Sequence, residues 1–284
     1  MDLDHVAVVV ADLERGRAAF ARLGFRLTPR SSHRGPVPPD GAVADWGSGN
    51  HCAMFRQGYF EVLGITDPGG YKPHLDRRLA RHEGLHLIAF GTADAQAEVA
   101  ALRARGVAIE APVSLGRDVP YGAGTRPGSF LIASFDPDAF PEADFIVIEQ
   151  ETRAVLWQPA LMDHPNGTVA LDRAVVASAD PAATIARLRP LLGAGRAGRF
   201  DLSAGVLEVI GAEEIAGRLP GCAPPEALPC GVAVRFAVAD LDATRGYFRA
   251  AGVVASEEGG DLVRLAPDLC CGVAVEFVQV EARP

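Results

Sequence analysis

Apolar residues alternate along residues 3–10, where Val6, Val8 and Val10 share one parity and His5 and Ala7 the other. Period two of this kind predicts a strand with two different faces, the valines toward a helix and His5 away from it. Asp12 follows at the place of a helix N-cap and Glu14 lies in the first turn. Leu13, Phe20 and Leu23 recur at helical spacing, and Gly24 stands where a left-handed C-cap belongs. The stretch predicts strand, tight turn, helix and stop, and the chain repeats it. With Asp12, Asp94, Asp180 and Asp240 in register, LIAFGTADAQAEVAALRARGV from Leu87 and AVRFAVADLDATRGYFRAAGV from Ala233 align on HVAVVVADLERGRAAFARLGF without a gap. The copy from Arg173 fits at its strand and at Asp180, carries Pro181 at N1, and drifts near Pro190, which should bend or end its helix. YFEVLG from Tyr59 and VLEVIG from Val206 form a second echo, so the chain reads as four copies of one strand-helix-strands unit.

Between these anchors, residues 25–32 read as a second strand and 33–50, rich in Gly and Pro, as a long loop. Strands at 51–55 and 59–65 flank a short turn, and Tyr59, Glu61 and Leu63 share a face. A connector covers 66–84. The second unit has its helix at 95–105, strands at 107–112 and 129–135 around a loop, and a last strand at 145–149. Residues 151–168 read as a crossover containing the turn chemistry of HPNG, and residues 217–231, with four prolines, as irregular.

A length of 284 residues suggests two domains, each a pair of units, and 49% hydrophobic residues suffice for packed cores. The net charge of -9 argues against a nucleic-acid partner. With no leader pattern and no apolar run of about 18 residues, the expectation is a cytoplasmic protein without a membrane partner, monomeric or homodimeric. Five cysteines without a CxxC pair argue against a disulfide framework, and Cys52, Cys270 and Cys271, in predicted strands, read as buried thiols. All seven histidines precede Thr168, which places histidine-dependent chemistry in the first half.

LDHVAVVVADLERGRAAFARLGF, GSGNHCAMFRQGYFEVLGI and LWQPALMDHPNG resemble the vicinal oxygen chelate superfamily, and more narrowly its glyoxalase-like members, over essentially the whole chain. The resemblance implies an α+β fold of four tandem βαβββ modules, paired into two domains with curled mixed sheets around cavities and helices outside. The boundaries expected are 1–152 for a domain with the active or metal site, 153–168 for a connecting segment, and 169–284 for a degenerate second domain. It also implies a small-molecule ligand and a divalent metal (Mn, Fe, Zn or Ni) held from the first and last strands of each module.

Carried onto this chain, the ligand positions are His5, Glu61 and Glu149, with Leu87 where a second histidine is expected and His86 one residue early. Three arrangements stay open. His5, Glu61 and Glu149 with waters would favour a harder metal such as Mn or Mg. A bulge could turn His86 inward. His5 and Glu61 could instead hydrogen-bond without metal. The corresponding positions of the second half are Arg173, Glu208, Ala233 and Glu276, where an Arg173–Glu208 pair would replace metal ligands.

The resemblance thus implies a metal-dependent enzyme of lyase or isomerase type acting on an oxygen-chelating substrate, with Glu61 or Glu149 moving the proton. The alternatives are a metal-free protein that sequesters an aromatic or antibiotic-like molecule between walls such as Trp46, Phe55, Tyr59 and Tyr121, and a ring-cleaving dioxygenase, which needs two His and one carboxylate. His51 reads either as a substrate contact or as a surface residue.

Overall fold

The computed structural model describes all residues except 39, 224 and 281–284. The first half runs β1 (Asp2–Val10), α1 (Leu13–Arg22), β2 (Ser31–Val37), β3 (Ala42–Met54), β4 (Tyr59–Ile65), α2 (Pro73–Leu79), β5 (Gly84–Gly91), α3 (Ala95–Ala104), β6 (Val113–Tyr121), β7 (Gly124–Ser134) and β8 (Asp144–Glu149). After the short α4 (Arg153–Leu156) the second half runs β9 (Thr168–Ser178), α5 (Pro181–Leu192), β10 (Arg199–Asp201), β11 (Val206–Gly211), α6 (Ile215–Arg218), β12 (Cys230–Val238), α7 (Leu241–Ala250), β13 (Ser256–Glu258), β14 (Leu262–Leu265) and β15 (Ala274–Gln279). The result is two mixed sheets, ordered β2-β3-β4-β1-β5-β8-β7-β6 and β10-β11-β9-β12-β15-β14-β13. The third unit has one strand fewer than the others among the described residues.

All four helices of the repeat start by one device. The carboxylates of Asp12, Asp94, Asp180 and Asp240 accept from the backbone N–H three residues on, at 3.0, 2.8, 3.0 and 2.9 Å. Gly24 then takes φ +83°, and a Cβ there would stand 2.7 Å from the Tyr247 ring of α7, so two constraints require glycine. Val6, Val8 and Val10 pack with Leu13 and Phe20 of α1.

The same core runs without a break into the second half. Phe236 of β12 lies 5.1, 5.4 and 5.6 Å from the rings of Phe25, Phe55 and Phe60. The HPNG segment is part of this junction rather than a surface turn. His164 accepts from Arg26 N–H through Nδ1 (2.9 Å) and donates from Nε2 to the Met54 carbonyl (2.8 Å), while Asn166 donates to the Leu23 carbonyl (2.9 Å).

Several expectations change. Residues 33–50 form most of the β2–β3 hairpin, while residues 25–30 lie outside any strand. Residues 113–128 likewise form the β6–β7 hairpin, with Tyr121 opposite Gly124. These ribbons lie at the sheet edges with exposed residues on both faces, so no period-two apolar signal marks them, and Pro36 is tolerated because β2 is an edge strand. The connector 66–84 contains α2, opened by Pro73 at N1. Pro190 does not stop α5, which continues to Leu192.

Candidate functional site

The first sheet curls until its edge strand β6 meets β3, although five strands separate them in the sheet order. Val119 packs with Cys52 and Met54, and Arg117 donates through Nη1 to Asn50 Oδ1 at 3.2 Å. The concave side is thus a trough. Leu156, the last residue of α4, and Trp157 just after it close one end against Met54 and Tyr59. Leu75 and Leu79 of α2 close the other against Ala7, Val9 and Leu63.

Between these plugs one wall is polar. Pairing of β1 with β5 skips Asp4, since Leu3 faces Phe90 and His5 faces Ala89. This β-bulge breaks the alternation and lets both Asp4 and His5 serve one side. His5 donates through Nδ1 to Asp4 Oδ1 at 2.7 Å, and Gln150 Nε2 donates to the same oxygen at 3.1 Å. His5 Nε2 then lies 3.9 Å from Glu61 Oε2, and Glu61 Oε1 accepts from Asn50 Nδ2. Tyr59 stacks on His5 with ring centroids 4.2 Å apart. Asp4, His5, Asn50 and Glu61 are all buried, which for polar groups requires this mutual satisfaction.

The charges are tuned by burial and by one another. Burial opposes the charge of Arg117, and the Glu61 carboxylate supports it. Its Nε is buried without a partner. Burial pushes the Cys52 thiol up to about 12 and the Tyr59 hydroxyl well up, so both stay neutral. His33, which donates or accepts at 2.9 Å with Ser48, is shifted down by burial.

The facing wall is apolar: Leu87 and Ala89, Ile146 and Ile148, Phe130 and Ile132. It continues outward, because Leu115 pairs with Phe130 and Val113 with Ile132, and both β6 residues are exposed. Beside Asp4 and Gln150 a cavity of about 580 Å³ opens at the end of the sheet, with Glu149, Glu151 and Arg153 on its wall.

The structure brings together His5, Tyr59 and Glu61, and places the other sequence-derived candidates elsewhere. Ile146 and Ile148 face the trough, so period two gives Gln150 the place expected for Glu149. Glu149 turns to the helix side and accepts from Ala95 N–H at 2.9 Å. β8 is apolar on both faces, which hid its parity. A bulge does fall at His86, since Ala7 faces Leu87 and Val8 faces Leu85. His86 nevertheless donates through Nε2 to the His82 carbonyl at 2.8 Å, three residues along β5 from the register position of His5. His51 lies on the helix side, donating to the Thr28 carbonyl at 2.7 Å with Nε2 3.7 Å from Glu14. Phe55 belongs to the core, Tyr121 holds Arg126 near the tip of its hairpin, and Trp46 packs edge-on against Tyr71 and near His74. Asp4, Asn50, Arg117 and Gln150 are the members that sequence reasoning missed. Asn50 was within reach of it, because pairing β3 to β4 across the turn at Gly58 puts Cys52 opposite Glu61 and Asn50 on the same face.

The donor set falls short of a shell for a resident divalent metal. His5 Nε2 and Glu61 Oε2 supply two donors, but the second module offers Leu87 and Gln150 at its corresponding places, and the Arg117 charge reaches Glu61. Among the described residues no three His, Cys, Asp or Glu side chains stand together to hold a metal ion. The residues present do not fit the metal shell that the superfamily resemblance implies.

In the second sheet the corresponding hollow is filled. Ile215 of α6 and Leu219 pack with Val175, Ala177 and Ile210. Arg173 Nη1 donates to Glu208 Oε2 at 2.5 Å, Arg218 reaches the other Glu208 oxygen, and Arg235 and Arg264 bind Glu276 at 2.8 Å each. Ion pairs and apolar plugs occupy what is open in the first half.

Two βαβββ modules curled around a trough, with a shorter pair of modules in a second sheet, are the architecture that the superfamily resemblance implies. A family model described as a glyoxalase-like domain matches residues 3–192, and the chain belongs to that family. Among solved structures the chain is similar to a hypothetical protein from Staphylococcus aureus, with a TM-score of 0.59, 12% identity, and coverage of 98% of this chain and 99% of that one. It is similar also to a mutant of 4-hydroxymandelate synthase from Streptomyces coelicolor, with a TM-score of 0.59, 14% identity, and coverage of 100% and 94%. A third is a xylose isomerase-like TIM barrel/4-hydroxyphenylpyruvate dioxygenase fusion protein, with a TM-score of 0.55 and 14% identity, of which 49% is covered by all of this chain. At these identities the likeness is one of fold. No curated protein matches the chain. No described helix is long and apolar enough to cross a membrane.

Proposed function

We propose that the trough of the first sheet is the active site of an enzyme that moves a proton on a small oxygen-bearing substrate, in a reaction of lyase or isomerase type. One observation carries this reading: Asp4 fixes His5 through Nδ1, and the opposite nitrogen points toward the Glu61 carboxylate at 3.9 Å. With its Nδ1–H given to Asp4, neutral His5 keeps the Nε2 lone pair for a substrate proton. Glu61, anchored by Asn50 through one oxygen, presents the other as the second proton carrier. Removal of a proton beside a carbonyl leaves the C–H electron pair as an enolate, and the unpartnered Arg117 Nε–H offers charge to its oxygen. Because the two carriers lie 3.9 Å apart on one wall, the imidazolium formed at His5 returns the proton to the same face of the substrate, at the same or a neighbouring carbon. The apolar wall takes the carbon body and excludes water. In this reading residues 1–152 are the catalytic unit, and 169–284, joined through 153–168, support it.

The outward run of apolar residues to Val113 and Leu115 favours a second reading, a protein that sequesters a small aromatic molecule without converting it. Proton exchange separates the two. In deuterated water, wild-type protein exchanges the α-protons of one member of a panel of small keto and hydroxy acids, followed by NMR. Glu61→Gln exchanges it at least about 10²-fold more slowly. Equal rates in both proteins refute the catalytic reading, and saturable binding without exchange supports sequestration.

A further inference from the structure

A second cavity, of about 190 Å³, lies under the C-terminal end of α2, where Arg77, Arg78 and Arg81 meet His86 and Asp144, with Phe140 on its rim. None of the residues of the Asp4–His5–Glu61 cluster lines it. We propose that this cavity binds a small tetrahedral oxyanion of the phosphate or sulfate class, either free or as the terminal group of an ester.

The charge balance points to an anion. Asp144 is the one carboxylate on the lining, and it serves two guanidinium groups, accepting from Arg77 Nη2 at 3.0 Å and pairing with Arg78. Arg81 donates only to backbone carbonyls, those of Pro141 at 3.2 Å and Pro229 at 2.7 Å, so its charge meets no carboxylate among the described contacts. Three cations therefore face one anion across a small cavity. Arg78 also keeps a buried Nε–H without a partner.

The cost of this crowding shows in the groups themselves. Burial and the neighbouring Arg77 push Arg78 down to about 10, and burial, aided by His82, Arg78 and Arg81, pushes His86 down to about 4. Arginines in a last helical turn complement the helix dipole, but that role needs no cavity and no buried spare donor. An oxyanion would satisfy both: guanidinium donors match phosphate oxygens through short charge-assisted hydrogen bonds. A cavity of about 190 Å³ admits such a group with room beside it, and is too small for a ligand of drug size to lie wholly inside. Phe140, Pro137 and Pro141 at the edge offer an apolar seat for the organic part of an ester.

The test is titration of the full chain with inorganic phosphate, and separately with phenyl phosphate, at low ionic strength with sodium chloride as the control, read by calorimetry and by thermal unfolding. Wild type shows saturable binding and a rise in Tm with phosphate beyond that with chloride, and tighter phenyl phosphate assigns the site to esters. Arg77→Gln and Arg81→Gln each weaken binding by about tenfold. Asp144→Asn, which removes the carboxylate competing for Arg77 and Arg78, tightens it. Glu61→Gln binds as wild type does, which keeps this result separate from the catalytic reading. Absence of saturable binding of both ligands, or equal affinities in wild type and the two arginine variants, overturns the proposal.

Discussion

Lowering the pH from 7 to 5 should destabilise this protein through His86, and His86→Gln should remove that share. The ring is 4% exposed, and burial brings it to about 4 from an ordinary 6.5. A histidine whose native value is depressed is neutral in the fold and readily protonated when unfolded. Its contribution is therefore complete above about pH 6.5 and is lost as the pH falls toward the native value of about 4. Between pH 7 and 5 the unfolded state gains most of one proton that the native state does not, which amounts to about 2 kcal/mol. A glutamine amide at this position can still donate to the His82 carbonyl, so the substitution removes the titration while keeping the hydrogen bond. Urea unfolding at the two pH values checks this. The difference between pH 7 and pH 5 should shrink by about 2 kcal/mol in His86→Gln. An unchanged difference would refute the claim that burial, rather than access to solvent, governs this ring.

Glu208 should show the opposite dependence. Burial pushes its carboxyl up, but Arg218 and Arg173 outweigh this and hold it below 4.5, so its stabilisation is present above that value and lost as the pH falls through the depressed one. Glu208→Gln should flatten the acid limb of a stability–pH curve below pH 4.5. Phe236→Ala removes a fully buried ring that touches Phe25, Phe55 and Phe60, and should cost about 3–5 kcal/mol in chemical unfolding. Asp94→Ala deletes the cap on Ala97 N–H and should cost about 1 kcal/mol by the same measurement.

The repeated units were legible because cap, apolar stripe and stop agree locally in each copy. Asp94 and Asp240 cap their helices as Asp12 does. The two long hairpins were not legible, because an edge ribbon such as residues 33–50 gains its order from pairing to a neighbour and carries no buried face to print on the sequence. At the site, the superfamily resemblance picked out His5 and Glu61, and parity put both on the face away from the helices. Asp4 was not, because it reaches His5 through a bulge, which period two cannot foresee. Glu149 was misplaced for the related reason that Phe145, Ile146, Val147 and Ile148 are all buried, leaving the face of the next residue undetermined. Arg117 comes from the far edge of the sheet and meets Asn50 only because the sheet curls, a tertiary fact with no local signal.

Under the proposed function, proton-transfer chemistry resides on the Asp4–His5–Glu61 cluster of the first sheet and not on its ion-paired counterpart in the second. Its most direct test is α-proton exchange in deuterated water, measured side by side for wild type, His5→Gln, Glu61→Gln and Glu208→Gln with the same responsive substrate. Exchange should fall by about 10²-fold or more in both first-sheet variants and be retained in Glu208→Gln. Exchange that survives in His5→Gln and Glu61→Gln, or that disappears only in Glu208→Gln, would contradict it.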